Sequence, residues 1–110
     1  MAGRIARGEI RLYHFSGPDK TRPVLVLTRD ASLGYLSRVT IAPITSAIRS
    51  VPSEVTLGPE DGMKHPCAIN LHNVVTVPKE DIGRRISQLG AGRMEEVCRA
   101  LAFALGCSGV

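Results

Sequence analysis

Arg22 stands at the head of a run, TRPVLVLTRD at 21–30, whose interior is apolar and mostly β-branched. A guanidinium is planar, permanently charged, and able to make two parallel hydrogen bonds to one phosphate. A short apolar run bounded by turn residues reads as a strand buried on both faces. Pro23 is tolerated at its first position, where the missing N–H costs little. The sequence thus sets Arg22 directly before a rigid element, a good way to present charge to a phosphate. The competing reading is an ordinary solvated arginine beside a turn. Lys20, Arg29, Arg49 and Lys64 also fall in loops or at strand ends. In a small barrel such ends can converge on one groove and track a phosphate backbone. Lys79, Arg84 and Arg85 form a separate cluster that reads as a solvated face. Base stacking would rest on Tyr13, Phe15 or Tyr35 alone. No cofactor or metal is expected. Glu60, Asp61 and His65 share a loop without divalent geometry, and Cys67, Cys98 and Cys107 lack metal-like spacing. Those cysteines read as buried thiols of a reducing cytoplasm, without a structural disulfide. His14 reads as a core-edge histidine, and His65 carries no role.

The elements that must hold these residues follow from composition and periodicity. A chain of 110 residues is expected to form one domain, 1–110, burying roughly two-thirds of its unfolded surface. Apolar residues make up 44% and aromatics only 4%, with no tryptophan, so the core must be aliphatic. A formal charge of +4 with a pI near 9.3 favours polyanions, nucleic acid above all. No apolar run approaches the roughly 18 residues of a spanning helix, and the N-terminus has no secretion signal.

In chain order, residues 1–7 read as a basic, frayed leader. Residues 8–15 form a strand with a mixed outer face, joined through the turn SGPDKT to the Arg22 strand as a hairpin. A loop covers 30–34. A third strand spans 35–44, ended by Pro43 and the pair Thr45, Ser46. A connection follows at 45–53, with room for one helical turn. Short strands are expected at 54–57 and 84–89 and at 67–71 and 74–77, the last two as separate strands or one bent one, with a loop at 58–66 and a helical turn at 78–83. From 91 to 105, Met94, Val97, Cys98, Leu101, Ala102 and Leu105 recur at helical spacing, with Glu95 and Glu96 near the positive end and Gly106 as a left-handed stop. The whole reads as mainly β: a small, strongly bent antiparallel sheet or barrel capped by one C-terminal helix.

RGEI at 7–10, RPVLVLTRD from Arg22, PITS from Pro43, TVPKEDIGRRISQL from Thr76 and MEEVCRALAFALG from Met94 together resemble the MazF/PemK/Kid toxins of bacterial toxin–antitoxin pairs. The likeness runs over nearly the whole chain. It implies an SH3-like, partly open β-barrel with a C-terminal helix, a homodimer, and metal-independent, sequence-specific cleavage of single-stranded RNA. It also implies a cognate acidic antitoxin laid over the RNA groove, and a bacterial cytoplasmic protein with no membrane association.

The resemblance carries the family's catalytic arginine onto Arg22 and its catalytic threonine onto Thr45, followed by Ser46. In such cleavage the ribose 2′-OH attacks phosphorus, charge builds on the nonbridging oxygens, and a guanidinium and a hydroxyl can stabilise it. The other reading of Thr45 is a hydroxyl that only caps the turn after its strand. The chain departs from the family at Arg11, where RGEIW has an aromatic, and in the short SGPDKT loop, which lacks glutamate and glutamine. The general base is therefore unassigned. Asn70 and His72 match positions that carry an arginine and an aspartate in some members. His72 is a candidate acid or base, being able to titrate near neutrality, or else a strand histidine with no role. A non-enzymatic toxin of the same fold, like the gyrase poison CcdB, and a catalytically degenerate relative are the alternatives.

Overall fold

The computed structural model describes residues 4–18 and 20–107. Its strands are β1 (Glu9–His14), β2 (Thr21–Val26), β3 (Arg38–Thr45), β4 (Glu54–Leu57), β5 (Cys67–Asn70), β6 (Val75–Pro78) and β7 (Arg85–Gln88), with helices α1 (Asp30–Leu33) and α2 (Ala91–Leu105). Single 3-10 turns lie at Pro59–Asp61, Leu71–Asn73 and Lys79–Asp81. The antiparallel sheet runs β4-β5-β3-β2-β1-β7, and β6 adds to β3. It curls into a half-barrel capped by α2, the architecture the pattern predicts.

β2 is the centre of this sheet. It pairs with β1 from Ile10↔Leu25 to His14↔Thr21 and with β3 from Val24↔Pro43 to Val26↔Ile41. Val24 and Val26 face one core cluster, with Val39, Ile41 and Ile82; Leu25 and Leu27 face the other, with Ile44, Ile69 and Val97. Val24, Leu25 and Val26 are fully buried, and each such side chain contributes about 1.5–3 kcal/mol by leaving water. Arg22 is the second residue of β2 rather than the residue ahead of it. β3 passes through Pro43 instead of ending there. Ile41 is the last β3 residue paired with β6 and Ile44 the first paired with β5, so the proline falls where one neighbour replaces the other.

Other expectations shift. Residues 30–33 form the short helix α1 instead of a loop, while 46–53 contain no helical turn. On the mixed outer face of β1, the charged pair Glu9 and Arg11 is buried. Arg11 Nε donates to Glu9 Oε1 at 2.9 Å, Nη1 to the Gly83 carbonyl at 2.9 Å and Nη2 to the Arg4 carbonyl at 3.0 Å. A buried charge left unpaired would be strongly destabilising, and this one is satisfied on several sides. The Gly83 N–H meets the Leu12 carbonyl at 2.8 Å. A Cβ at Gly83 would lie 2.8 Å from that oxygen, so glycine is required. Residues 4–7 are tied down rather than frayed. The Arg7 N–H donates to Asp30 Oδ1 at 2.7 Å and its guanidinium to the Leu27 carbonyl. Residues 1–3 lie outside the described residues.

The helix α2 occupies the expected residues and ends at Gly106, left-handed at φ 73°. Its buried face is rotated. Val97 and Ala100 are buried, with Met94, Leu101 and Ala104 packed beside them, whereas Cys98 is exposed and Leu105 is 62% exposed. Ala100 and Ala104 are small enough for close approach to the sheet, and an alanine carries little hydrophobic signal. Glu95 and Glu96 fall beyond the first turn, and Glu96 pairs with Arg93 at 3.1 Å. Cys67 is buried, but Cys98 and Cys107 are exposed thiols.

Candidate active site

Pairing across the sheet builds the site. Thr45 lies opposite Ala68, Ala68 opposite Thr56, and Asn70 opposite Glu54. Continuing the β2–β3 register two residues past Val24↔Pro43 sets Arg22 opposite Thr45. Opposed residues share a face of the sheet and alternate residues share it again. Arg22, Pro43 and Thr45, Asn70, and Glu54 therefore form one row across β2, β3, β5 and β4. The apolar residues between them, among them Leu25, Ile44, Ile69 and Val55, point to the core beneath α2. An open groove of about 300 Å³ lies along this row, lined by Arg22, Pro43, Ile44, Thr45, Ala47, Arg49, Glu54, Asn70 and Asn73.

Arg22 and Arg49 are both exposed. Neither guanidinium has an ion-pair or hydrogen-bond partner among the described residues. Thr45 Oγ1 accepts the Ala47 N–H at 3.1 Å. That bond caps the turn yet uses only a lone pair, so the hydroxyl proton remains free to donate. Asn70 Oδ1 accepts the His72 N–H at 3.1 Å, which leaves its amide NH₂ as donor. The groove therefore presents unpaired guanidinium and hydroxyl donors, a set matched to a phosphodiester.

The remaining sequence candidates lie outside this lining. Ser46 follows Thr45 but does not line the groove. His72 sits on the turn after β5 rather than on a strand, its Nδ1 hydrogen-bonded to Ser53 Oγ. Lys20 precedes β2 beside Arg22. Arg29 follows the opposite end of β2, and Lys64 lies in the loop at the far ends of β4 and β5. Of the five cations expected to converge, the groove gathers Arg22 and Arg49. His14 is exposed at the hairpin, its Nδ1 3.0 Å from Thr21 Oγ1, instead of at a core edge. Alternation places it on the face opposite Arg22. Tyr13 and Phe15 are half-buried and stack edge to face at 4.8 Å, while Tyr35 is 76% exposed and outside the groove. Glu54 and Asn73 carry no local signal in the sequence: the pairing of β4 with β5 brings Glu54 here, and the turn after β5 brings Asn73.

A separate charged cluster fastens the loop after β4 to α2. Arg93 Nε and Nη2 each meet an Asp61 carboxylate oxygen at 3.0 Å, and Nη2 reaches Glu60 at 3.3 Å. Burial opposes ionisation of Asp61, but the Arg93 hydrogen bonds, the Gly58 N–H and the Arg93 charge outweigh it and hold the carboxyl below its usual range. The Asp61 hydrogen bond likewise raises Arg93 further. Burial, then the Asp61 charge, pushes the Cys67 thiol up, so it is an inert core residue.

A family profile described as PemK-like, MazF-like toxin of type II toxin–antitoxin systems matches residues 6–105. Endoribonuclease MazF3 of Mycobacterium tuberculosis is 36% identical over 95 residues, covering 86% of this chain and 92% of that protein. Among solved structures, the Mycobacterium tuberculosis toxin MazF-mt6 superposes with a TM-score of 0.83 at 33% identity, over 91% of this chain and 98% of that one. An endoribonuclease in complex with its cognate antitoxin, from a mycobacterial species, shares the fold with a TM-score of 0.87 at 23% identity, over 97% and 100% of the two chains. By its sequence over residues 6–105 and by its half-barrel, the chain belongs to the PemK-like, MazF-like toxins of type II toxin–antitoxin systems.

Proposed function

We propose that this chain is the endoribonuclease of a toxin–antitoxin pair, cutting single-stranded messenger RNA in the groove beneath Arg22 and Thr45 and so arresting translation and growth. The observation that carries the reading is the pair of partnerless guanidinium groups, Arg22 and Arg49, flanking a threonine hydroxyl with a free proton in one groove. The ribose 2′-OH attacks the adjacent phosphorus and loses its proton. The bond from phosphorus to the 5′-oxygen breaks, and that oxygen takes up a proton. The products are a 2′,3′-cyclic phosphate and a free 5′-OH. Arg22 meets the charge that builds on the nonbridging oxygens, and Thr45 donates a further hydrogen bond. Arg49 and Asn70 bind neighbouring nucleotides. The reaction needs no metal, because side-chain donors already in place meet the charge.

The same cationic groove suits an acidic antitoxin segment, which would block it by occupying it. The chain is expected to act as a homodimer in the bacterial cytoplasm. No helix among the described residues is long and apolar enough to cross a membrane.

One experiment separates the readings. A labelled single-stranded RNA, a twin with one 2′-deoxy nucleotide 5′ of the scissile bond, and added EDTA are compared. The RNA should be cut with EDTA present, and its twin should resist at that bond. Cutting of the twin there, or loss of all cutting in EDTA, would overturn the mechanism. A folded, antitoxin-free protein that cuts no RNA would favour a binding toxin of the same fold.

A further inference from the structure

Glu54 is a carboxylate lining a groove otherwise suited to phosphate. An anion there should repel RNA unless its charge is used for something else. The geometry supplies the use. Glu54 Oε1 accepts the N–H of Arg49 at 3.0 Å and the N–H of Ser50 at 3.0 Å. Successive backbone N–H groups converging on one point form a small anion-binding nest, and here the anion is the chain's own side chain. Ser50 is left-handed at φ 56°, alone among the described non-glycine residues. A serine in that region is strained and persists only where its surroundings hold it. The Glu54 N–H also donates to the Val51 carbonyl at 3.0 Å, so Glu54 closes the turn with its backbone as well.

We propose that Glu54 is a positioning residue. Its carboxylate holds the 49–50 turn in its strained form, and through that turn fixes Arg49 across the groove from Arg22 and Thr45 to grip the RNA backbone beside the scissile phosphate. The inference rests on the RNA-groove reading above and adds a residue and a role to it. It also distinguishes Glu54 from a general base. Glu54 opens β4, which β5 separates from β3, so its Cα is about 10 Å from β3 at ordinary strand spacing, and Oε1 is turned to the loop. Glutamine keeps an oxygen acceptor at the same reach and loses the charge, whereas alanine loses both.

The test uses Glu54→Gln, Glu54→Ala, Arg49→Ala and the Glu54→Ala/Arg49→Ala double variant, with kcat and KM measured on the single-stranded RNA. Glu54→Gln should stay within about threefold of wild type in both constants. Glu54→Ala should raise KM by about tenfold with kcat nearly unchanged, the pattern of lost uniform binding. Arg49→Ala should match it, and the double variant should be no worse than Arg49→Ala, because the two residues act as one unit. A large kcat loss in Glu54→Gln would mean proton transfer and overturn the proposal. Tighter RNA binding by both glutamate variants would mean simple repulsion and overturn it too, as would additive losses in the double variant.

Hydrogen exchange at the Arg49 and Ser50 amides gives a readout that needs no RNA. Exchange should quicken in Glu54→Ala and stay slow in Glu54→Gln, with unchanged circular dichroism in both. Equal exchange in all forms would refute the positioning role. If the amides behave as expected but the wild-type protein cuts no RNA, the positioning of the turn stands and the endoribonuclease reading falls.

Discussion

Adjacent strands place Arg22 and Thr45 opposite each other on one face of the sheet, where the proposed function has both meet one phosphate. Their roles differ, and so should their variants. Arg22→Ala should lose on the order of 100-fold or more in kcat with the fold intact, since a preorganised charge donor is removed. Arg22→Lys should also be poor, because a point charge cannot replace the planar fork. Thr45→Ser keeps the hydroxyl and should keep most activity, whereas Thr45→Val should not. Near-wild-type cleavage by Arg22→Ala or by Thr45→Val would remove that residue from the site. Arg49 is expected to contact the backbone away from the cut. On single strands each lost phosphate contact lowers the slope of log affinity against log salt by about 0.7. Arg49→Ala should show that reduction in a titration of RNA binding at several salt concentrations.

At the scale of elements, β2 owes its place to burial on two sides, and the loop after β4 owes its place to an ion pair. Leu25 is fully buried beneath α2. Leu25→Ala should cost about 3 kcal/mol and lower Tm clearly, by the usual transfer and cavity terms. The Asp61–Arg93 clamp behaves differently. Asp61 has a folded pKa below its unfolded value of 3.8, so its contribution is fully present above that pH and is lost as pH falls through the lower folded value. Asp61→Asn should therefore destabilise at neutral pH, by about 1–3 kcal/mol. The gap from wild type should narrow below about pH 4. Denaturant titrations at pH 7 and pH 3 check this. A gap that stays constant across that range would show that the carboxylate charge is not what holds the loop. The rotated face of α2 is also an element-scale result: Ala100 is buried and Ala104 packs against the core, while Phe103 and Leu105 stay outside.

At the scale of the whole molecule, a small basic half-barrel leaves both apolar and charged surface open. Phe103 is 60% and Leu105 62% exposed on α2. An exposed apolar face of this kind is expected to be covered in an oligomer. Light scattering at micromolar concentration should give the mass of a dimer, and a monomer throughout that range would contradict the homodimer. Such covering would also explain why α2 carries apolar residues on a side that its own sheet does not reach.

Much of this protein was legible in the chain alone, where local chemistry suffices. The short strand at 54–57 and the helix at 91–105 were marked to the residue, the helix by its 3.6-residue periodicity and its end by Gly106, because backbone preference and patterning act over a few neighbours. The Arg22 run was recognisable as a doubly buried strand for the same reason. Motif order over nearly the whole chain pointed to the toxin family. Tertiary structure decided what depends on partners distant in sequence. It made Pro43 an internal strand residue, since only the exchange of β6 for β5 leaves a place for a proline. It made Glu9 and Arg11 a buried pair, since Arg11's other partners, the Arg4 and Gly83 carbonyls, come from the leader and from the turn before β7. It selected Arg49 over Arg29 and Lys64, which look alike as loop cations but lie at opposite ends of the strands. It also brought Glu54 beside Asn70 through the register of two short strands. Register is a long-range property: a one-residue slip would turn every one of these side chains to the other face, and it is the packing of both cores, not local sequence, that forbids the slip.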